Sequence, residues 1–200
     1  TLDITVVCLQ KRGALAAQMD AAGIPVVAPR FLTRFLFCRA LRLLVVTIWL
    51  TFVFRTRRPD IVHTFLPEAY IIAGSVATIM GIPIRLMSRR SLNNYQSRRP
   101  FAAFIERSLH RHMHALLGNS VAVIQQLRKE VGKGGTRTYL IYSGVEVERF
   151  SNLKLGSDVR SELGIPKEAI VFAVIANLIP YKGHTDLLKA FEMIADKLTA

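Results

Sequence analysis

Lys182, Gly183 and His184 follow an apolar run, Ala169 to Ala176, and stand where a helical pattern over 186–198 begins. A lysine charge beside the free amides of a helix N-terminus makes an anion site. Asn177, at the head of the same loop, adds a side-chain amide. A second group lies after two earlier apolar runs. His63 closes the run from Ile61 and is followed by Glu68; Ser88, Arg89, Arg90, Ser91 and Asn93 follow Ile84 to Met87. Guanidinium forks, amides and hydroxyls in one loop suit phosphate or sugar hydroxyls. A histidine at a strand end can act as a general acid or donate a hydrogen bond to a ligand, or pack against backbone with no such role. Ligands of parallel sheets gather at the carboxyl ends of the strands. Both groups are therefore well placed if the apolar runs before them are strands of such a sheet.

Other chemistry has less support. His110, His112 and His114 suggest metal at first sight, but on a helix 112 points away from the other two, and no Cys, Asp or Glu nearby completes a site. Glu106 stands four residues before His110, the spacing of an ordinary helix pair. No Gly-x-Gly-x-x-Gly, Walker loop or Gly-x-Ser-x-Gly occurs, so the dehydrogenase, NTPase and serine-hydrolase readings lack their residues. Cys8 and Cys38 lie in apolar surroundings without a CxxC, as expected for buried thiols in a reducing compartment.

The positioning elements follow from periodicity. Strands are expected at 4–9, 26–28, 61–63, 84–87, 115–118, 138–142 and, buried throughout, at 169–176, with helices at 13–22, 67–80, 100–113 and 120–131 between the earlier ones. Gly-Ile-Pro recurs at 23–25, 81–83 and 164–166, each time after a helical stretch: glycine supplies the left-handed cap and proline forbids continuation. This alternation argues an α/β fold with a doubly wound, Rossmann-like parallel sheet. Tyr139 to Phe150 ends it, with an apolar run that breaks at Ser143-Gly144, where glycine would permit a backbone turn closed to other residues.

Charge separates the two sides of that break. Residues 1–150 carry 21 Lys and Arg against 8 Asp and Glu, whereas 151–200 carry 6 against 6. The basic side suits phosphate-rich ligands or an anionic membrane surface. Leu43 to Phe54 has no charge and is flanked by arginines on both sides. It is short of the roughly 20 apolar residues of a bilayer span, so a helix packed on the sheet is expected, with a helix resting on a membrane as the next reading. The expected organisation is a first domain over 1–142, a hinge over 143–156 and a second domain beginning at 157–200. Both ends read as cut: Thr1 leads straight into a strand, and the chain stops inside a helical pattern.

RPDIVH (58–63), IYSGVEVERF (141–150), SELGIP (161–166) and ANLIPYKGHTDLLKAF (176–191) together resemble the retaining glycosyltransferases of family 4. The resemblance runs over nearly all 200 residues. It implies the GT-B fold, two Rossmann-like domains facing a cleft and joined by a hinge, here a first domain and the start of a second. It further implies transfer of a sugar from a nucleotide-diphosphate donor, with retention and no obligatory metal or other cofactor. Lys182 matches the family's donor-diphosphate lysine. Asn177 stands where many members have an arginine. Arg89 falls near an active-site histidine of several members, which implies substrate binding. Ser120 matches a strand-end serine, and Ser143 with Gly144 matches the hinge. The glycine-rich loop after the first strand and the carboxylates that grip the donor would lie outside the chain, so residues 1–200 alone are expected to be inactive.

The reading that follows is a cytoplasmic glycosyltransferase, peripheral at a membrane face, acting on a glycan or lipid-linked acceptor. The alternative is a non-catalytic basic α/β module binding polyanions or nucleic acid. Nucleic acid is not expected as a partner, because the arginines are scattered over helix and strand ends without a recognition module.

Overall fold

The computed structural model describes residues 2–29, 39–92, 96, 99–151 and 156–198. The chain divides into two compact units, Thr1–Gly144 and Val145–Ala200. In the first, β1 (Val6–Val7) pairs in parallel with β2 (Val26–Val27), with α1 (Ala16–Ala21) between them. A long helix, α2 (Arg39–Arg57), leads to β3 (Ile61–Phe65). Then come α3 (Pro67–Ala69), a π-helical turn (Tyr70–Gly74) and α4 (Ser75–Ile79), followed by β4 (Ile84–Arg89), α5 (Pro100–His110), β5 (Ala115–Gly118), α6 (Val121–Val131) and β6 (Thr138–Leu140). Strands β3 to β6 form one parallel sheet in sequential order. The fold is α/β with parallel sheets throughout.

The joints work as local chemistry requires. Gly23, Gly81 and Gly164, the glycines of the three Gly-Ile-Pro stretches, all have positive φ. Ser120 caps α6 by accepting from the Val123 amide, and Pro100 opens α5 at a position where a missing N–H costs nothing. Ala103, Glu106, Leu109 and His110 are the buried face of α5; Val123, Ile124 and Leu127 are that of α6. Of these, Leu109, Val123, Ile124 and Leu127 meet Met87, Leu116 and Tyr70 in one core cluster. A second cluster joins Leu50, Val53 and Phe54 of α2 to Val62, Ala73, Val76, Ala77 and Ile82. Each large apolar side chain so buried contributes about 1.5–3 kcal/mol.

Helix α2 packs on this core as expected. Its threonines return their hydroxyls to carbonyls one turn back, Thr47 to Leu43 and Thr51 to Thr47, which satisfies them within an apolar helix. Its other face is also apolar: Leu41, Leu44, Ile48 and Phe52, three or four residues apart, are each about half exposed or more. Among the described residues no helix is long and apolar enough to cross a membrane.

In Val145–Ala200, α7 (Glu148–Ser151), α8 (Gly156–Glu162) and α9 (His184–Leu198) form, with a 3-10 turn at Pro180–Lys182. The strand expected over 169–176 does not. A strand needs a neighbour for its N–H and C=O groups, and no described segment of this unit supplies one. Ile175 is fully exposed, whereas Phe172 packs edge-on against Phe191 of α9, with ring centroids 4.9 Å apart.

Candidate functional site

Parallel pairing aligns the carboxyl ends of the strands: Phe65 lies opposite Ser88, and Arg89 opposite Gly118. The chain opens a cavity of about 380 Å³ there, lined by His63, Phe65, Ser88, Arg89, Arg90, Leu117, Gly118, Asn119 and Ile141 to Gly144. Glycine at 118 lets α6 approach closely, since a Cβ there would stand 2.8 Å from Ile124 Cδ1. His63 is exposed overall, but its ring lies 4.3 Å from that of Phe65 and its Nε2 is 2.7 Å from Ser88 Oγ. Lost hydration holds the imidazole pKa below its ordinary value, which favours a neutral ring that can donate or accept. Arg90 is exposed, donates from Nη2 to Ser143 Oγ at 2.9 Å, and forms no ion pair among the described residues. No carboxylate lines the cavity.

Arg89 requires a correction. It reaches the cavity wall, but its guanidinium is turned into the protein and is not offered to a ligand. Nη2 lies 2.5 Å from Glu106 Oε1 and Nη1 lies 2.8 Å from Glu130 Oε1, with all three side chains nearly fully buried. Burial opposes its charge, yet the hydrogen bond to Glu130 and the negative charges of Glu106 and Glu130 more than offset this, so the guanidinium is held more firmly protonated than usual. Burial likewise tends to raise the Glu130 carboxyl, but hydrogen bonds from His110 and Arg89 and their charge outweigh it and lower its pKa. The network extends through His110, which bridges Glu130 Oε2 and the Tyr70 hydroxyl at 2.9 Å each, and through Gln96, which donates to Glu106. Glu106 thus pairs with Arg89 of β4. His114 lies beyond the end of α5, where its Nδ1 accepts from the Arg85 amide.

The other expected residues fall into three groups. Glu68 is exposed in the first turn of α3 and does not line the cavity; Leu66, just before that helix, takes a strained conformation (φ 71°, ψ 147°). Ser120 spends its hydroxyl on the α6 cap. Asn93 lies outside the described residues. Ser143 and Gly144 sit at the boundary of the two units and line the cavity, but Gly144 is not among the positive-φ glycines and a Cβ there would meet open space. Glycine is not demanded there by backbone geometry.

In the second unit Asn177, Lys182 and Gly183 come together at the start of α9. His184 Nε2 is 3.0 Å from the Asn177 carbonyl, and Gly183 takes the left-handed conformation (φ 74°) that turns the 3-10 segment into the helix. Lys182 is exposed, with its ammonium 5.3 Å from the Tyr181 ring centroid.

Among the cavity residues that the sequence does not single out are Asn119 and Tyr142. A polar residue directly after the strand Ala115–Gly118 was the available signal for Asn119. For Tyr142, part of an apolar run, there was none.

Residues 2–149 match the model of Glycosyltransferase Family 4. Among solved structures, the chain is similar to HepE of Anabaena, crystallised with UDP and glucose, at 16% identity and a TM-score of 0.59 over 80% of this chain and 42% of that one. It also matches UGT73P12 of Glycyrrhiza uralensis, complexed with glycyrrhetinic acid 3-O-monoglucuronide, at 13% identity and a TM-score of 0.48 over 70% of this chain and 42% of that one. The chain spans less than half the length of either. None of the curated proteins compared with it matches its sequence.

Proposed function

Because the chain belongs to Glycosyltransferase Family 4, we propose that the whole protein transfers a hexosyl or related sugar from a nucleotide-diphosphate donor, with retention of configuration, to a lipid-linked or membrane-associated glycan. The observation that carries the acceptor side is the cavity at the ends of β3, β4 and β5, with an exposed Arg90 guanidinium that forms no ion pair among the described residues and no carboxylate in its lining. Lys182, Gly183 and Asn177 take the donor diphosphate at the start of α9, with no obligatory metal. The UDP and glucose held by the fold neighbour from Anabaena are donor chemistry of the same kind. Residues 1–200 by themselves are inactive in this reading, since they span 42% of that neighbour's length.

The membrane component rests on α2. Its outward stripe of Leu41, Leu44, Ile48 and Phe52, followed by Arg55, Arg57 and Arg58, is the pattern of a helix lying on an anionic lipid face. The protein is then peripheral on the cytoplasmic side of a membrane.

The test is transfer of labelled sugar from a panel of nucleotide sugars by the full-length protein, with vesicles carrying lipid-linked acceptors. Transfer is expected, together with co-sedimentation with anionic vesicles at low salt. Lys182→Ala is expected to weaken donor binding by about 1.5–3 kcal/mol, the contribution of a charge-assisted contact. Absence of transfer from every donor, with salt-dependent binding to unrelated DNA, would replace the enzyme by a polyanion-binding module.

A further inference from the structure

Asn119 holds an atom that the structure leaves unanswered. Its Nδ2 donates to the Arg90 carbonyl at 3.2 Å, which fixes the orientation of the amide and makes the other atom an acceptor. That acceptor, Oδ1, is buried and has no hydrogen-bond partner among the described residues. Buried polar atoms are nearly always paired, and an orphan in a cavity wall marks where a ligand group or water belongs. Asn119 lines the cavity beside Arg90. Among the described residues, this part of the cavity wall therefore offers a cation without a carboxylate and an acceptor without a donor.

We propose that this cavity holds a hydroxylated ring bearing an anionic group, a sugar or cyclitol acid or phosphate, with the anion on the Arg90 guanidinium and a ring hydroxyl donating to Asn119 Oδ1. This rests on the glycosyltransferase reading and names the class of acceptor it uses. A planar guanidinium takes a phosphate or carboxylate by two parallel hydrogen bonds. Arg89, pinned between Glu106 and Glu130, contributes no free charge, so the anion falls to Arg90. Phe65 and Tyr142, each exposed, supply apolar surface for the ring. A volume of about 380 Å³ accommodates one such ring; ligand cavities run from about 300 to 1,000 Å³.

The experiment is calorimetric titration of the full-length protein with glucose, inorganic phosphate, glucuronate and glucose 6-phosphate, and of phosphatidylinositol against phosphatidylcholine vesicles. At least one acidic ring compound is expected to bind about tenfold or more tightly than glucose or phosphate. Preference for a soluble compound assigns a free sugar acid or phosphate, and preference for phosphatidylinositol alone assigns a lipid headgroup. Arg90→Gln should erase the margin over glucose, and Asn119→Ala the margin over phosphate. Arg90 is exposed, so its replacement leaves the fold intact. If Asn119→Ala does not fold, deoxy analogues of the preferred ligand read the hydroxyl on the wild type, and one must lose affinity. No binding by any acidic ring, or equal binding by wild type and Arg90→Gln, overturns the proposal. Sugar transfer without such binding removes this subsite alone, whereas binding without transfer removes the enzyme reading and keeps the subsite.

Discussion

Arg89→Met removes a buried cation from between two buried carboxylates. The guanidinium side chain is 6% exposed, Glu106 is 2% and Glu130 is 6%, so neither carboxylate can recover its loss from water. Breaking one buried pair costs about 3–5 kcal/mol, mostly for the charge left behind, and here two pairs are broken, although Glu130 keeps His110 and Glu106 keeps Gln96. A loss of at least about 4 kcal/mol at pH 7 is expected, a large part of the 5–15 kcal/mol that typically holds a domain together. With a urea m-value near 2 kcal/mol/M the midpoint falls by about 2 M, read by circular dichroism. Arg89→Lys restores charge but not the fork that spans both carboxylates, so it recovers only part of the loss. The pH dependence has a definite sign. In the wild type the Glu130 pKa is lowered, so its contribution is fully present above the unfolded value of about 4.3 and is lost as pH falls through the folded one. In Arg89→Met the burial that tends to raise the Glu130 pKa is opposed by His110 alone, so this contribution is smaller in the variant, and the gap between the two proteins narrows as pH falls through the folded value. A loss under about 1 kcal/mol, or a gap that does not change with pH, would refute this account of the network.

Gly118→Ala should cost about 1–3 kcal/mol, because the new Cβ meets Ile124 Cδ1 at 2.8 Å and Val123 Cγ1 at 3.1 Å. Adding Ile124→Val should return part of that in denaturant unfolding, and no recovery would place the strain elsewhere. Leu66→Gly should raise the melting temperature, since a φ of 71° costs leucine about 1–3 kcal/mol and the side chain is 72% exposed; a lower melting temperature would contradict this. The lowered His63 pKa means that the unfolded chain takes up the proton first as pH falls below about 6.5, so stability should decline there. His63→Gln should flatten that decline in thermal melts between pH 7.5 and 5.5, and identical slopes would exclude His63 as its source.

The parallel sheet was legible because its signals are local. Strands bounded by Gly-Ile-Pro joints and helices with buried residues three and four apart can be read from neighbours in sequence, and Ala115–Gly118 was located to the residue. Elements that depend on distant partners were not. The run Ala169–Ala176 has every strand propensity but no ladder to join. The recognition that His63, Ser88, Arg90 and Ser143 meet needs only the rule that strand ends converge. The recognition that Arg89 points inward needs Glu130, forty-one residues away on α6, and nothing in a single sequence links the two. Adjacent arginines at a strand end alternate between faces, so one of Arg89 and Arg90 had to turn inward. Which one depended on where the carboxylates lay.

The same network has a mechanical meaning. Tyr70 belongs to the π turn, Arg89 to β4, Glu106 and His110 to α5, and Glu130 to α6, and one chain of hydrogen bonds runs through all of them. None of β4, α5 and α6 can swing out without stranding a charge or a polar group in the interior, and the π turn is tied to them through Tyr70, so they open together as one cooperative unit. The floor beneath the cavity is therefore stiff. Adjustment to a ligand falls to parts outside the chain of bonds: the exposed Arg90 guanidinium, the single hydrogen bond that ties it to Ser143, and the segment from Ile141 to Gly144.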